Sequence, residues 1–280
     1  SPTTVTGGLP YVSSPAVFTT SPGSTASGAH VIAGSRHPDS VTAWSETSDD
    51  ASQITTTELD VTSEASVHKV IEDIAATHGR LDVVVNNAGY LLYGGVEELT
   101  DAEVRRSFDV NVFGLLNVTR QALKIMRSQR FGHVINMSSI SADITSPATG
   151  LYSATKAAVL KFSEALADEG KELNIHTTAV CPGGIRTDFL NPSSAQRADN
   201  VIDDYTEVHT VETQLSEGNH RQGGDPAKVA DAIVALATME APPSRLYLGR
   251  DALQAIDKKT GEIRDSIEQH RHLSESISSR

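Results

Sequence analysis

From residue 29 onward, short apolar runs rich in β-branched residues take turns with longer stretches whose apolar positions recur at helical spacing. Few architectures accept that order. A strand, a helix and a second strand return the chain in its original direction, so the strands lie parallel and helices cover both faces. Such crossovers are right-handed almost without exception. The pattern predicts strands over 30–34 (HVIAG), 54–61 (ITTTELDV), 81–89 (LDVVVNNAG), 132–139 (GHVINMSS), 174–184 (NIHTTAVCPGG) and 245–249 (RLYLG). It predicts helices over 63–79, 100–129, 151–173, 225–239 and 251–272. Gly79 ends the first helix, and Thr100 with Glu103 forms a capping box at the start of the second. Residues 190–224 are polar and irregular, which suits a loop or lid over a site. The expected fold is α/β: a doubly wound parallel sheet in one domain over 29–280, with the lid at 190–224 and a charged amphipathic helix at 251–272. Residues 1–28 form a divergent N-terminal segment. Pro2, Pro10, Pro15 and Pro22 prevent a helix longer than about two turns there.

Composition removes several classes of function. A net charge of −13 argues against a nucleic-acid backbone or an anionic membrane as partner. No apolar run approaches the ~20 residues that span a bilayer. Cys181 is the only cysteine, so no intrachain disulfide holds the fold and a reducing compartment is expected. The first 35 residues carry no Lys or Arg, unlike the basic start of a targeting peptide. A cytoplasmic protein acting on a small molecule is the expectation. Cys181 has no histidine beside it in sequence and reads as core. The histidines show no metal-ligand spacing, so no metal is expected. Two formal glycosylation sequons, at Asn117 and Asn136, fall in elements expected to be packed.

Open parallel α/β sheets bind ligands at the carboxyl ends of their strands. Four motifs fall there: Asn86-Asn87-Ala88-Gly89, Ser138-Ser139, Tyr152-x-x-x-Lys156, and Pro182-Gly183-Gly184-Ile185-Arg186-Thr187. Tyr152 and Lys156 share one face of a helix, a turn apart. An ammonium group there stabilises a phenolate and draws a tyrosine pKa toward working pH. Ser139 ends the preceding strand, so its hydroxyl and the tyrosine would share a substrate carbonyl. Taken singly, each residue has a structural reading: Tyr152 as core, Ser139 and Ser138 as turn caps, Asp60 as a helix cap, Arg36 as a solvated loop residue. Asn111 inside a helix costs a few tenths of a kcal/mol against alanine, which points to a role. The combination, rather than any one member, points to a site.

In that combination the chain resembles the short-chain dehydrogenase/reductase family over roughly residues 29–270. The resemblance implies that Tyr152 is the general acid/base and that Lys156 lowers its pKa and binds the nicotinamide ribose. Ser139 would orient the carbonyl or alcohol, and Asn111 would support a water-linked proton relay. Pro182, Gly183, Ile185 and Thr187 would lie at the nicotinamide, with Thr187 on its carboxamide. Asn87, Ala88 and Gly89 would pack along the adenosine ribose, and Asp60 and Val61 would flank the adenine. Arg36 stands where an acidic residue would favour NAD; an arginine suits the 2′-phosphate of NADP. Tyr90, Leu91, Tyr93 and Phe189 would wall an apolar substrate pocket. A homo-oligomer built through helices 100–129 and 151–173 is also implied.

The family opens with a strand, a TGxxxGxG turn and a helix whose N-terminus receives the pyrophosphate. This chain offers two registers for that opening. In the preferred one, residues 16–24 (AVFTTSPGS) are strand and turn, Gly23 is the only loop glycine, and the helix is largely deleted. In the other, 3–8 (TTVTGG) supply strand and turn. Two functions are therefore expected in turn: an NADP-dependent oxidoreductase acting on a carbonyl or secondary alcohol, or a non-redox isomerase, dehydratase, cyclase or binding protein that keeps the fold without the cofactor.

Overall fold

The computed structural model describes residues 16–20, 29–39, 42 and 54–278. A seven-stranded sheet forms its centre. In chain order its strands are β1 (Ala16–Thr20), β2 (His30–Ser35), β3 (Ile54–Glu58), β4 (Val83–Asn86), β6 (Gly132–Met137), β7 (Ile175–Pro182) and β9 (Arg245–Leu248). Their spatial order is β3-β2-β1-β4-β6-β7-β9. A second, two-stranded parallel sheet pairs β5 (Leu91–Tyr93) with β8 (Ala195–Arg197). The helices are α1 (Glu64–His78), α2 (Asp101–Phe108), α3 (Leu115–Gln129), α4 (Gly150–Glu169), α5 (Thr206–Glu217), α6 (Pro226–Thr238), α7 (Arg250–Gln269) and α8 (Arg271–Glu275).

Two apolar layers sandwich the sheet. On one face, Val67, Val70, Ile71 and Ile74 of α1 and Val118, Ala122 and Met126 of α3 pack on Ile32, Val84 and Val134. On the other, Leu236 of α6 packs on Val83, Val85, Ile135, Met137 and Val180. The residues alternate between faces along each strand, as a sheet covered on both sides requires. A buried polar chain crosses the first layer: Asn86 Nδ2 donates to Thr119 Oγ1 (3.0 Å) and to Asn136 Oδ1 (2.8 Å), and Asn136 Nδ2 donates to Ser163 Oγ (2.9 Å). Asn136 is fully buried, so its sequon is out of reach. Asn117 Nδ2 meanwhile donates to the Val61 carbonyl. Asn136→Ala will leave buried donors and acceptors without partners and cost about 2–3 kcal/mol. A lowered urea midpoint at unchanged slope checks this.

Local signals hold closely. Ser63 caps α1 and Gly79 ends it in the left-handed region at φ 70°. Thr100 and Glu103 make the reciprocal capping box, and Asp225 caps α6. The long helix expected over 100–129 is continuous but widens into a π-helical stretch over Asp109–Gly114. Two contacts account for the widening. Asn111 is drawn onto the backbone of Tyr90, and Gly114 lies so close to Val61 that a Cβ would stand 2.6 Å from Val61 Cγ2. The segment 190–224, expected to be irregular, contains β8 and the whole of α5.

One strand departs from the expected parallel sheet. β1 runs antiparallel to both neighbours, Ala16 opposite Gly34 and Asn86, Thr20 opposite His30. Every other pairing in the large sheet is parallel. The reason is length. Only residues 21–29 join β1 to β2, and a parallel crossover takes about a dozen or more. The strand of the preferred register is therefore present, but its carboxyl end lies at the amino ends of β2 and β4. In that register the turn would have cradled a pyrophosphate at the opposite edge. The other register, at 3–8, lies outside the described residues.

Candidate active site

The carboxyl ends of β4, β6 and β7 gather the motif residues. β6 ends at Met137, whose carbonyl accepts a 2.7 Å hydrogen bond from Lys156 Nζ. Lys156 is 5% exposed, and burial pushes its pKa down to about 8, with the neighbouring Cys181 opposing. Its Nζ stands 5.7 Å from the centre of the Tyr152 ring. Tyr152 is itself buried, packed with Leu91, Tyr93, Phe189 and Leu190 into an apolar wall, its ring centre 5.9 Å from that of Phe189. A buried ammonium beside a buried phenol is the arrangement in which a phenolate gains most from a neighbouring charge.

The two serines make different contacts. Ser138 Oγ donates to the Lys156 carbonyl (2.9 Å), tying α4 to the end of β6. Ser139 Oγ accepts from Ser141 N–H (3.1 Å) and caps a short 3₁₀ turn, with little of the residue exposed. Asn111 forms a two-point clamp on Tyr90: its Oδ1 accepts from Tyr90 N–H and its Nδ2 donates to the Tyr90 carbonyl, both at 2.9 Å. Nδ2 also reaches Thr155 Oγ1 at 3.2 Å. The clamp fixes the chain just after Asn87-Ala88-Gly89. A Cβ on Gly89 would stand 3.2 Å from Asn111 Oδ1 and 3.5 Å from Lys156 Nζ, so this close approach depends on glycine. Tyr152, Lys156, Asn111 and Gly89 thus converge on one spot.

The remaining motif residues lie along the same edge. Pro182 ends β7, and Ile185 bridges to Gly224. Gly184 N–H donates to Asp251 Oδ2 (2.7 Å), and a Cβ on Gly183 would collide with that carboxylate. Thr187 is buried, and its Oγ1 accepts from Phe189 N–H. Past β3, Asp60 Oδ1 accepts from Thr62 N–H (2.9 Å) and Thr62 Oγ1 (2.7 Å), a turn that leads into the Ser63 cap. Val61 packs over Gly114. Arg36 follows β2, exposed, and shares a small cleft with Gly89. Cys181 is buried core, its thiol pushed up to about 11 by burial. Among the described residues no cluster of His, Cys, Asp and Glu suits a metal ion. No helix among them is long and apolar enough to cross a membrane.

Sequence reasoning missed Asp251 and Glu98. Glu98 is 2% exposed and accepts from Gly95 N–H (2.8 Å) and Ile202 N–H (2.9 Å), with His209 Nε2 at 2.8 Å. Burial works to raise its pKa, but the bonds from Ile202, His209 and Gly95 prevail and hold the carboxyl below its usual value. This anchor fastens the segment before α5 and α5 itself to the turn after β5. The sequence near Glu98 does not mark it, because two of its three partners, Ile202 and His209, lie about a hundred residues away.

Residues 19–198 match the family model of the short chain dehydrogenases. The chain belongs to that family of oxidoreductases. It is 32% identical over 254 residues to an uncharacterized oxidoreductase of Schizosaccharomyces pombe, covering 90% of this chain and 84% of that protein. Its fold matches a short-chain dehydrogenase of Streptomyces avermitilis at a TM-score of 0.80 and 33% identity, over 88% of this chain and 90% of the other. It also matches ElxO solved with NADP bound, at a TM-score of 0.64 and 26% identity, over 80% and 88% of the two chains.

Proposed function

We propose that this protein is an NADP-dependent oxidoreductase acting on a carbonyl or secondary alcohol of a small, apolar substrate. The observation that carries the reading is the buried Lys156 beside Tyr152, with Asn111 and Gly89 closing the same spot. A nicotinamide cofactor supplies the hydride donor or acceptor. Tyr152 donates the proton to the carbonyl oxygen in reduction and takes it from the alcohol in oxidation. Lys156 holds positive charge beside the phenol and lowers the cost of the phenolate. Ser139 shares the substrate oxygen, and Asn111 holds the strand-end loop against α4. On the nicotinamide side, Pro182, Gly183, Ile185 and Thr187 form the wall, with Lys156 on the ribose. Gly89 fits this half of the cofactor because its missing Cβ leaves room beside Asn111 and Lys156. Asn87, Ala88, Asp60 and Val61 line the adenosine side, and Arg36 favours the 2′-phosphate of NADP. Tyr90, Leu91, Tyr93 and Phe189 set the apolar character of the pocket.

A second reading has a specific observation behind it. The reversal of β1 leaves no glycine-rich turn at the carboxyl edge among the described residues. A non-redox protein on the same fold, using Tyr152 as an acid, would have that property. Titration of the purified protein with NADPH and NADH separates the two. Under the first reading NADPH binds at micromolar concentration and at least tenfold more tightly than NADH. A folded protein that binds neither up to millimolar cofactor overturns it.

A further inference from the structure

A small cleft of about 50 Å³ lies at the carboxyl edge, and Arg36, Gly89, Arg106, Ser194 and Gln196 are among the residues lining it. Two arginines line it from distant elements: Arg36 from just past β2, Arg106 from the last turn of α2. Neither makes an ion pair among the described residues. Two like charges turned toward one cleft repel each other unless an anion stands between them. The third group is Ser194, which is fully buried and whose hydroxyl has no hydrogen-bond partner. A buried hydroxyl without a partner is costly, so its site is built for one that binds. The volume exceeds the ~10–15 Å³ that a single water needs and suits one tetrahedral oxyanion. Guanidinium forks match phosphate oxygens two at a time. Gly89, which lines the cleft, also lies against Asn111 and Lys156, so the cleft adjoins the Tyr152 site.

We propose that Arg36, Arg106 and Ser194 form a phosphate clamp that does the work of the glycine-rich turn not found among the described residues. It binds a phosphate group of the molecule that reaches Tyr152, either the dinucleotide or a phosphorylated substrate. In its dinucleotide form the proposal rests on the oxidoreductase reading above. It goes further in assigning Arg106 and a lid serine to the anion. Because Ser194 belongs to the turn that leads into β8, anion binding also fastens that turn down.

The test uses the full chain, its Arg106→Ala, Arg106→Lys and Ser194→Ala variants, and NADPH, NADH and inorganic phosphate as probes. Dinucleotide affinity is read by fluorescence titration and phosphate binding by thermal shift. Arg106→Ala is expected to weaken NADPH binding about ten- to hundredfold, the range for one lost charge-assisted pair. Arg106→Lys should recover part of that loss and Ser194→Ala should lose severalfold. Inorganic phosphate should stabilise the wild type and not Arg106→Ala. If the wild type binds phosphate through Arg106 but no dinucleotide, the clamp stands with a phosphorylated substrate as its ligand, and the oxidoreductase reading falls. If NADPH binds the folded Arg106→Ala protein as tightly as the wild type, the clamp is wrong and the oxidoreductase reading survives. Wild type that neither phosphate nor dinucleotide stabilises overturns both.

Discussion

Tyr152→Phe will leave the fold and dinucleotide affinity in place and lower kcat by about 10²–10⁴-fold, the usual contribution of a positioned acid–base group. The phenyl ring keeps the packing on Phe189, Leu91 and Tyr93, so the apolar wall survives. Only the hydroxyl is lost, and with it the proton donor. An assay in both directions, with a cofactor titration alongside, separates this outcome from a folding defect. Turnover within a few-fold of the wild type would remove Tyr152 from the chemistry and leave it a core residue.

Lys156→Met will have the second large effect, and it has two signatures. The first is kinetic: without the ammonium, the Tyr152 phenolate loses its charge partner, and kcat falls by roughly the same 10²–10⁴. The second is thermodynamic. In the unfolded chain the lysine titrates at 10.5, in the folded one at about 8. Below pH 8 both states hold the proton, and the penalty of a buried charge is fully present. Between pH 8 and 10.5 the unfolded state binds more protons, so stability rises with pH. The variant lacks that gain. The stability of the wild type relative to Lys156→Met therefore climbs by about 3 kcal/mol across this window. Urea melts of both proteins at pH 7.5 and pH 10 measure it. Parallel pH dependences would mean that the folded site does not lower the Lys156 pKa.

What the sequence disclosed was local chemistry. The Gly79 stop and the Thr100–Glu103 box each involve residues a few positions apart, and both form. The motifs at the strand ends were equally legible, because a parallel sheet sends them all to one edge. The direction of β1 was not. Its apolar letters are the same either way up, and only the length of the connection to β2 decides. α5 was missed because its buried positions, Val208 and Glu212, break the apolar stripe, and Glu212 lies inward beside Arg197 at 3.9 Å. Which of the neighbouring hydroxyls Ser138 and Ser139 ties to α4 could not be told from sequence, because only the end of the strand fixes which one faces that helix. Arg106, Ser194 and Asp251 acquire meaning only from partners far along the chain.

The inverted β1 also decides how the sheet hangs together. β2 and β3 form one ribbon and β4, β6, β7 and β9 another, and among the described strands β1 alone carries backbone bonding between them. One ribbon bears Arg36; the other bears the ends that present Tyr152 and Lys156. A five-residue splice, antiparallel to both neighbours, thus joins the two halves of the ligand-binding edge. Its neighbours are close in sequence on one side and distant on the other, so pairing with β4 carries the larger loop-closure cost. The geometry between the guanidinium side and the proton-transfer side depends on that long-range pairing.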